Sequence, residues 1–382
     1  MEEKRPDRQE RFKIKTMKDF KKRTYLYYVG IDVSKQTLDI TVITEHWFLF
    51  HKVIKNAEVE INMFIKELKQ LKGLTLKNTV FGMEHTGIYN NYLRNCLSKC
   101  KANFVIDNPV TIKNTMGLVR GKNDRLDSKR IAEYLVKNRT QLRLYVPKRP
   151  LLLQLASLST LRQRLVSTRT ALKNPLKEDL GFVSKAITSE NIKLCNNTIQ
   201  SLDSDIKSVD EKIKDLWSSD DILAHKMHLV LSVPSIGPVV ALQILITTNE
   251  FLDITNPKSF ACYCGVAPFE YSSGTTIRKR TENSSIANKR MKSLLHNSAI
   301  VAIAFSSEMR KYYLRKTVNE HKSKLSVINA VRFKIICRVF ACIKYDRPYE
   351  MEYKSTHFPQ RETKFYSLID STIINRSVLQ IR

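Results

Sequence analysis

Three apolar runs crowd the start of this chain with almost nothing between them, and they leave few folds open. YLYYVGIDVS (25–34) reads as a buried strand, and TLDITVIT (37–44) and WFLFHKVIK (47–55) follow as two more. Connections this short join strands in hairpin style. Residues 57–72 then carry apolar side chains three and four apart and end at Gly73, which marks a helix. NTVFGMEHTG (78–87) returns to a strand, IYNNYLRNCLSKC (88–100) reads as a helix, and ANFVIDNP (102–109) is a short strand ending at Pro109. DRLDSKRIAEYLVKN (124–138) is helical again.

A meander of three strands followed by alternating helix and strand predicts a mixed α/β sheet of the ribonuclease H-like kind. Its domain spans 25–147, after a charged head at 1–24 expected to be a flexible arm, and it closes near Pro147 and Pro150. The texture then changes over 148–224. Leu151, Leu155, Leu158, Leu161, Leu165 and Leu172 line one helical face, while Ile192, Cys195, Ile199, Leu202, Ile206, Val209, Ile213 and Leu216 form a heptad seam. With Pro175 and Gly181 between them, these predict an antiparallel coiled-coil hairpin, folded on itself or paired with another subunit. A mainly α-helical domain follows at 225–346, and a polar tail at 347–382. LVLSVPSIGPVVALQILI (229–246) sets the turn PSIGP between two apolar helices. That is a helix-hairpin-helix-like segment, whose glycine amide could approach a phosphate, or else an ordinary helical hairpin.

Charge bears on the class of partner, with a basic surface that merely aids solubility as the plainer alternative. Lys and Arg number 65 against 37 Asp and Glu, a net charge of +28. A surplus of that size points to a polyanion, because each neutralised phosphate releases counterions. Nothing resembles a secretory signal, and no apolar run approaches the roughly 20 residues that cross a bilayer. The seven cysteines include no CxxC pair, so neither a disulfide framework nor a zinc site is expected, and the setting reads as a reducing cytoplasm. His225 and His228 lack a third ligand of suitable type. A sugar kinase of the actin-like fold also opens on a GID strand, but the later glycine-rich phosphate loops are missing.

The acidic residues of so basic a chain are placed suggestively. Asp32 lies in the first strand, Glu84 ends the fourth, and Asp124 and Asp127 stand three apart at the head of a helix, pointing from one face. Hard carboxylate oxygens suit magnesium or manganese, and two such ions could serve a phosphodiester displacement. Arg120, Lys122, Arg125, Lys129 and Arg130 crowd the last pair and could hold a nucleic-acid backbone. Each acid also has an ordinary reading: a turn cap for Asp32, a helix-dipole charge for Asp124, a surface ion pair for Asp127. Asp39, in LDITV, is expected at the surface.

Farther on, GVAPFEYSSGTTIRKR (265–280) reads as a turn-rich segment with Ser272, Ser273 and Gly274 ahead of Arg278, Lys279 and Arg280. A serine beside a glycine is readily presented, and the cations favour a bound phosphate, though an SSGT turn is commonplace. Arg310, Lys311, Tyr312, Tyr313, Arg315 and Lys316 interleave aromatics with charge, as a nucleic-acid clamp or a solvated helix face would.

GIDVSKQTLDITV, MEHTGIYNNYLRNCL and NPVTIKNTMGLVRGKNDRLDSKRIAEYL resemble the RuvC-like DEDD domain of insertion-sequence transposases of the IS110 family. LSVPSIGPVVALQIL, FACYCGVAPFEYSSGT and ANKRMKSLLHNSAI resemble that family's C-terminal transposase domain, so the likeness runs in order over about 26–345. It implies that Asp32, Glu84, Asp124 and Asp127 are the catalytic, metal-binding carboxylates and Ser273 the nucleophile, with Ser272 as the fallback, in a composite site. It further implies donor and target DNA, a structured noncoding guide (bridge) RNA, a dimer or tetramer, and a prokaryotic, nucleoid-associated protein outside the membrane. Asn123 stands where the family usually has Thr or Ser, Ser128 where it has Ala, and Ala287 where glycine is common. Two rival readings stay open: a RuvC-like Holliday-junction nuclease that ignores the serine, and a non-catalytic nucleic-acid-binding protein.

Overall fold

The computed structural model describes residues 25–116, 123–273, 277–283 and 286–351, with the side chains of 270–285 outside that description, and it forms two compact units, Met1–Arg149 and Pro150–Arg382.

In the first unit the expected strands are β1 (Tyr27–Val33), β2 (Thr37–Ile43), β3 (Phe48–Lys55), β4 (Thr79–Glu84) and β5 (Asn103–Asp107). Helices α1 (Glu58–Gln70) and α2 (Asn91–Lys99) alternate with them, and α3 (Pro109–Met116) and α4 (Asp124–Lys137) follow. The sheet order is β3-β2-β1-β4-β5, with β1, β2 and β3 antiparallel and β1, β4 and β5 parallel. That order and those directions are the ribonuclease H-like arrangement the pattern predicts. Helix α3 was not anticipated, because Pro109 read as a stop. It is a start: proline suits the first turn of a helix, and Asn108 Oδ1 accepts the Val110 amide at 2.9 Å.

Strand alternation sends successive side chains to opposite faces. Val29, Ile31, Leu38, Ile40, Phe81 and Met83 enter a core with Ile61, Phe64 and Leu68 of α1 and Leu93 and Leu97 of α2. Tyr28, Val80 and Val105 turn the other way, onto Ile131, Ala132 and Leu135 of α4 and Ile112 of α3. Both faces of the sheet are therefore covered.

The second unit begins with α5 (Pro150–Phe182) and α6 (Lys185–Ser218). They pack antiparallel, as Arg162–Asp210 (2.5 Å) and Arg169–Asp203 (2.6 Å) require. Pro175, expected beside the reversal, lies inside α5, and the chain reverses at 183–184 instead. Packing along α6 outweighs the one hydrogen bond a proline removes. Of the heptad residues, Ile206 and Ile213 are buried.

Helices α7 (Asp221–Leu231) and α8 (Pro238–Thr248) flank the PSIGP turn. After α9 (Pro257–Tyr263) come β6 (Pro268–Ser273) and β7 (Ile277–Asn283), then α10 (Lys289–Phe305), α11 (Ser307–Leu314) and α12 (Lys324–Tyr345). Leu152, Leu155, Leu242, Leu245, Phe260, Leu295, Ala299, Val331 and Ile335 share one core. The segment read as turn-rich is thus a hairpin in which Ser273 ends β6 opposite Ile277, because interstrand pairing organises residues whose local chemistry suggested a loop.

Candidate functional site

Gly30 explains how the acidic residues come together. A Cβ built there would stand 2.1 Å from the Ser128 carbonyl oxygen and 2.3 Å from the Ala132 amide nitrogen, so only glycine lets α4 lie this close to β1. Gly82, its partner in the β1–β4 register, meets Leu135 of the same helix. The contact is fixed further by a buried hydrogen bond of 2.8 Å between Thr41 Oγ1 on β2 and Ser128 Oγ.

This seats the first turn of α4 over the end of β1. Asp32 lies two residues beyond Gly30 and shares its face. Glu84 lies two beyond Gly82 on the parallel neighbour, so both carboxylates emerge on the α4 side at the same end of the sheet. Asp124 and Asp127 descend from the start of α4, whose cap is Asn123: its Oδ1 accepts the Leu126 amide at 2.7 Å. Asparagine caps as well as the serine or threonine it replaces. Past Glu84, the turn is held by Asn90, whose Nδ2 donates to the Glu84 carbonyl at 2.6 Å and whose Oδ1 accepts the Thr86 amide at 3.0 Å.

The four form one electrostatic group. Burial, then the charges of Asp124, Asp127, Glu84 and Asp39, push the Asp32 carboxyl from 3.8 up to about 6. Their oxygens are not drawn into a finished ligand set. Among the described residues no three His, Cys, Asp or Glu side chains are grouped to hold a metal ion. Asp127 instead accepts from Arg130 Nη1 at 2.7 Å. The donor chemistry, all oxygen and all anionic, fits a hard divalent cation.

Two further acids share the neighbourhood. Asp39 was expected at the surface and is buried instead, opposite Asp32 in the β1–β2 ladder and 3.2 Å from His51 Nε2. The hairpin spacing carried that information, since a tight turn at 34–37 sets residue 32 against 39. Asp107 on β5 pairs in register with Glu84, and its Oδ2 accepts from Tyr134 of α4 at 2.6 Å.

Of the expected backbone-holding cations, Arg125 and Lys129 are exposed at the start of α4, and Lys129 lies 3.7 Å from Glu133. Arg130 is partly buried and faces Asp127. Arg120 and Lys122 lie outside the described residues, as do the side chains of Ser272, Ser273, Arg278, Lys279 and Arg280, the head before Tyr25 and the tail after Met351. Among the described residues no helix is long and apolar enough to cross a membrane. His225 contacts Asp346, and Arg315 and Lys316 both pair with Glu320.

Comparison with known proteins adds a sequence-level result. A family model described as transposase, of the DEDD type of IS110 elements, matches residues 29–183, and one described as transposase of the IS116/IS110/IS902 family matches 227–314. A pilin gene-inverting protein of Moraxella lacunata is 24% identical over 329 residues, covering 85% of this chain and 97% of that protein. Its counterpart in Moraxella bovis is equally similar. An uncharacterized 44.8 kDa protein of insertion element IS116 from Streptomyces clavuligerus is 28% identical over 118 residues, 30% of this chain and 28% of that one. Among solved structures, T. thermophilus RuvC in complex with a Holliday junction substrate aligns with a TM-score of 0.25 and 10% identity, over 32% of this chain and all of that one.

Proposed function

The chain belongs to the IS116/IS110/IS902 family of transposases, and from that premise we propose that it cuts and rejoins DNA with a carboxylate site in its first unit and Ser273 as nucleophile in its second. The observation that carries the carboxylate half is the register that sets Asp32 and Glu84 at one sheet end beneath the first turn of α4, where burial and then the charges of Asp124, Asp127 and Glu84 raise the Asp32 carboxyl. Like charges so placed favour a cation. A bound magnesium or manganese ion would supply charge neutralisation at phosphodiester oxygens. Asp32, Glu84, Asp124 and Asp127 would hold it, with Asp127 leaving Arg130.

For the serine half, the support is the family match together with the place of Ser273 at the end of a strand, followed at once by the connection to β7. Its hydroxyl oxygen would attack a DNA phosphorus, expelling a deoxyribose hydroxyl and leaving a phosphoserine ester. A hydroxyl of a second strand would then attack that ester and release the serine, so bond energy is conserved without ATP. The net charge of +28 supports binding of donor and target DNA and of a structured guide RNA. The reading extends to a dimer or tetramer.

The test joins two plasmids bearing the element's ends and target with purified protein, RNA transcribed from the flanking DNA, and magnesium. Recombinants are expected from the wild type and from neither Asp32→Ala nor Ser273→Ala. A Ser273→Ala protein that still cuts, yielding unjoined ends, would replace this reading with that of a hydrolytic junction nuclease. Undiminished joining by Asp32→Ala would remove the carboxylate half.

A further inference from the structure

Within the second unit, Arg332 of α12 is 8% exposed, and among the described residues no carboxylate lies within ion-pair reach of it. Two other cations of this unit are treated differently: Lys226 meets Glu250 at 3.0 Å and Arg338 meets Glu308 at 2.6 Å. Both recorded partners of Arg332 are neutral. Nη2 donates to Nδ1 of His296 on α10, and Nη1 donates to Asn329 Oδ1 at 3.3 Å. The buried Nε has no partner at all. Burial, then the adjacent Arg332 charge, holds His296 below the ordinary histidine range, so its ring stays neutral and can accept.

The position of this group matters as much as its isolation. Asn329, one turn earlier on α12, donates Nδ2 to the Val266 carbonyl at 2.5 Å. Val266 precedes Pro268, where β6 begins, by two residues. The guanidinium is therefore tied to the root of the strand that ends in Ser273. A guanidinium keeps its charge even when buried, and a buried charge without a counter-ion opposes folding. Nε is enclosed as well as unpartnered, so a ligand would reach the guanidinium through the N–H groups of Nη1 and Nη2 not spent on Asn329 and His296, which keep the planar geometry that matches phosphate oxygens.

We infer that Arg332, supported by His296, is a phosphate-binding group whose ligand is a phosphodiester phosphate of the DNA on which Ser273 acts. The assignment to that DNA rests on the serine reading above, whereas the anion site does not. Lysine is a poor substitute, because it offers a point charge where a planar fork is held between two helices.

The experiment uses the full chain. Inorganic phosphate is the first probe, compared with chloride at equal ionic strength and read as a shift in melting temperature. Wild type and Ser273→Ala are expected to give the same saturable phosphate-specific shift, and Arg332→Met to need about tenfold more phosphate for half of it. Cations elsewhere act equally in every variant and cancel. A response in Arg332→Met equal to wild type overturns the inference. If that variant does not fold, Arg332→Lys is judged by the same comparison. The second probe is a duplex carrying one end of the element, bound over a salt series. Loss of about one phosphate contact from the salt slope in the Arg332 variant supports the DNA assignment. A slope unchanged while the phosphate response is lost means an adventitious ion only, and overturns it. Should Ser273→Ala join DNA normally, the serine reading falls while the phosphate arm still judges Arg332.

Discussion

Asp32 and Asp39 face one another across the β1–β2 ladder, both on the side of the sheet that α4 covers. Asp39 adds its charge to those of Asp124, Asp127 and Glu84 in raising Asp32 to about 6. It is itself held 3.2 Å from His51. The end of the sheet is therefore a place where negative charge has been concentrated against its own repulsion.

A pH signature follows. The folded Asp32 carboxyl binds its proton more tightly than the unfolded chain does. Its contribution to stability is thus full below about pH 4 and is lost as pH rises through about 6. In chelator-containing buffer, urea denaturation between pH 4 and 7 should show that downward component in the wild type and not in Asp32→Asn. Equal pH profiles for the two proteins would contradict the coupling.

Gly30 should tolerate no side chain. Backbone atoms of Ser128 and Ala132 occupy the space a Cβ needs. Gly30→Ala is expected to cost about 3 kcal/mol or more, as overpacking against backbone does. Gly82→Ala meets only the Leu135 side chain and should cost less, about 1–2 kcal/mol. Denaturant titration of both variants checks the order.

The Thr41–Ser128 hydrogen bond offers a double-mutant cycle. Thr41→Val strands the Ser128 hydroxyl only in part, since Ser128 Oγ also donates to the Arg125 carbonyl at 3.0 Å. Ser128→Ala leaves the fully buried Thr41 hydroxyl without that partner, at about 1–3 kcal/mol. The double variant should be less destabilised than the sum of the singles, and strict additivity would deny the pairing.

Asn123→Ala should lower stability by about 1 kcal/mol through loss of the α4 cap, while Asn123→Ser stays near wild type. Because Asp124 and Asp127 hang from that first turn, the alanine variant should also weaken magnesium binding, measured by calorimetry. Unaltered magnesium affinity in a measurably frayed helix would separate the cap from the site.

Much of the first unit was legible locally. Short connections force hairpins, and periods of two and of three to four separate strands from helices, so β1 to β5, α1, α2 and α4 could be read from their own residues. Asp39 shows where this ends. Alternation places it off the face of Leu38 and Ile40, which reads as solvent, yet α4 covers that second face as well. Local period distinguishes two faces without saying what will lie against either. The β6–β7 hairpin was missed for a similar reason: its order comes from pairing, whereas Ser-Ser-Gly by itself suits a turn.

By itself, then, the chain's sequence determined most of the succession of elements in the first unit, and it proposed a polyanionic partner and four leading carboxylates, because each rests on neighbouring residues or summed charge. Only the tertiary structure decided that Gly30 brings α4 down on β1, that Asp39 and Asp107 join the acidic end of the sheet, and that Arg332 is buried without a counter-charge. Those facts depend on which surfaces exclude water together, and exclusion is a property of segments far apart in the chain.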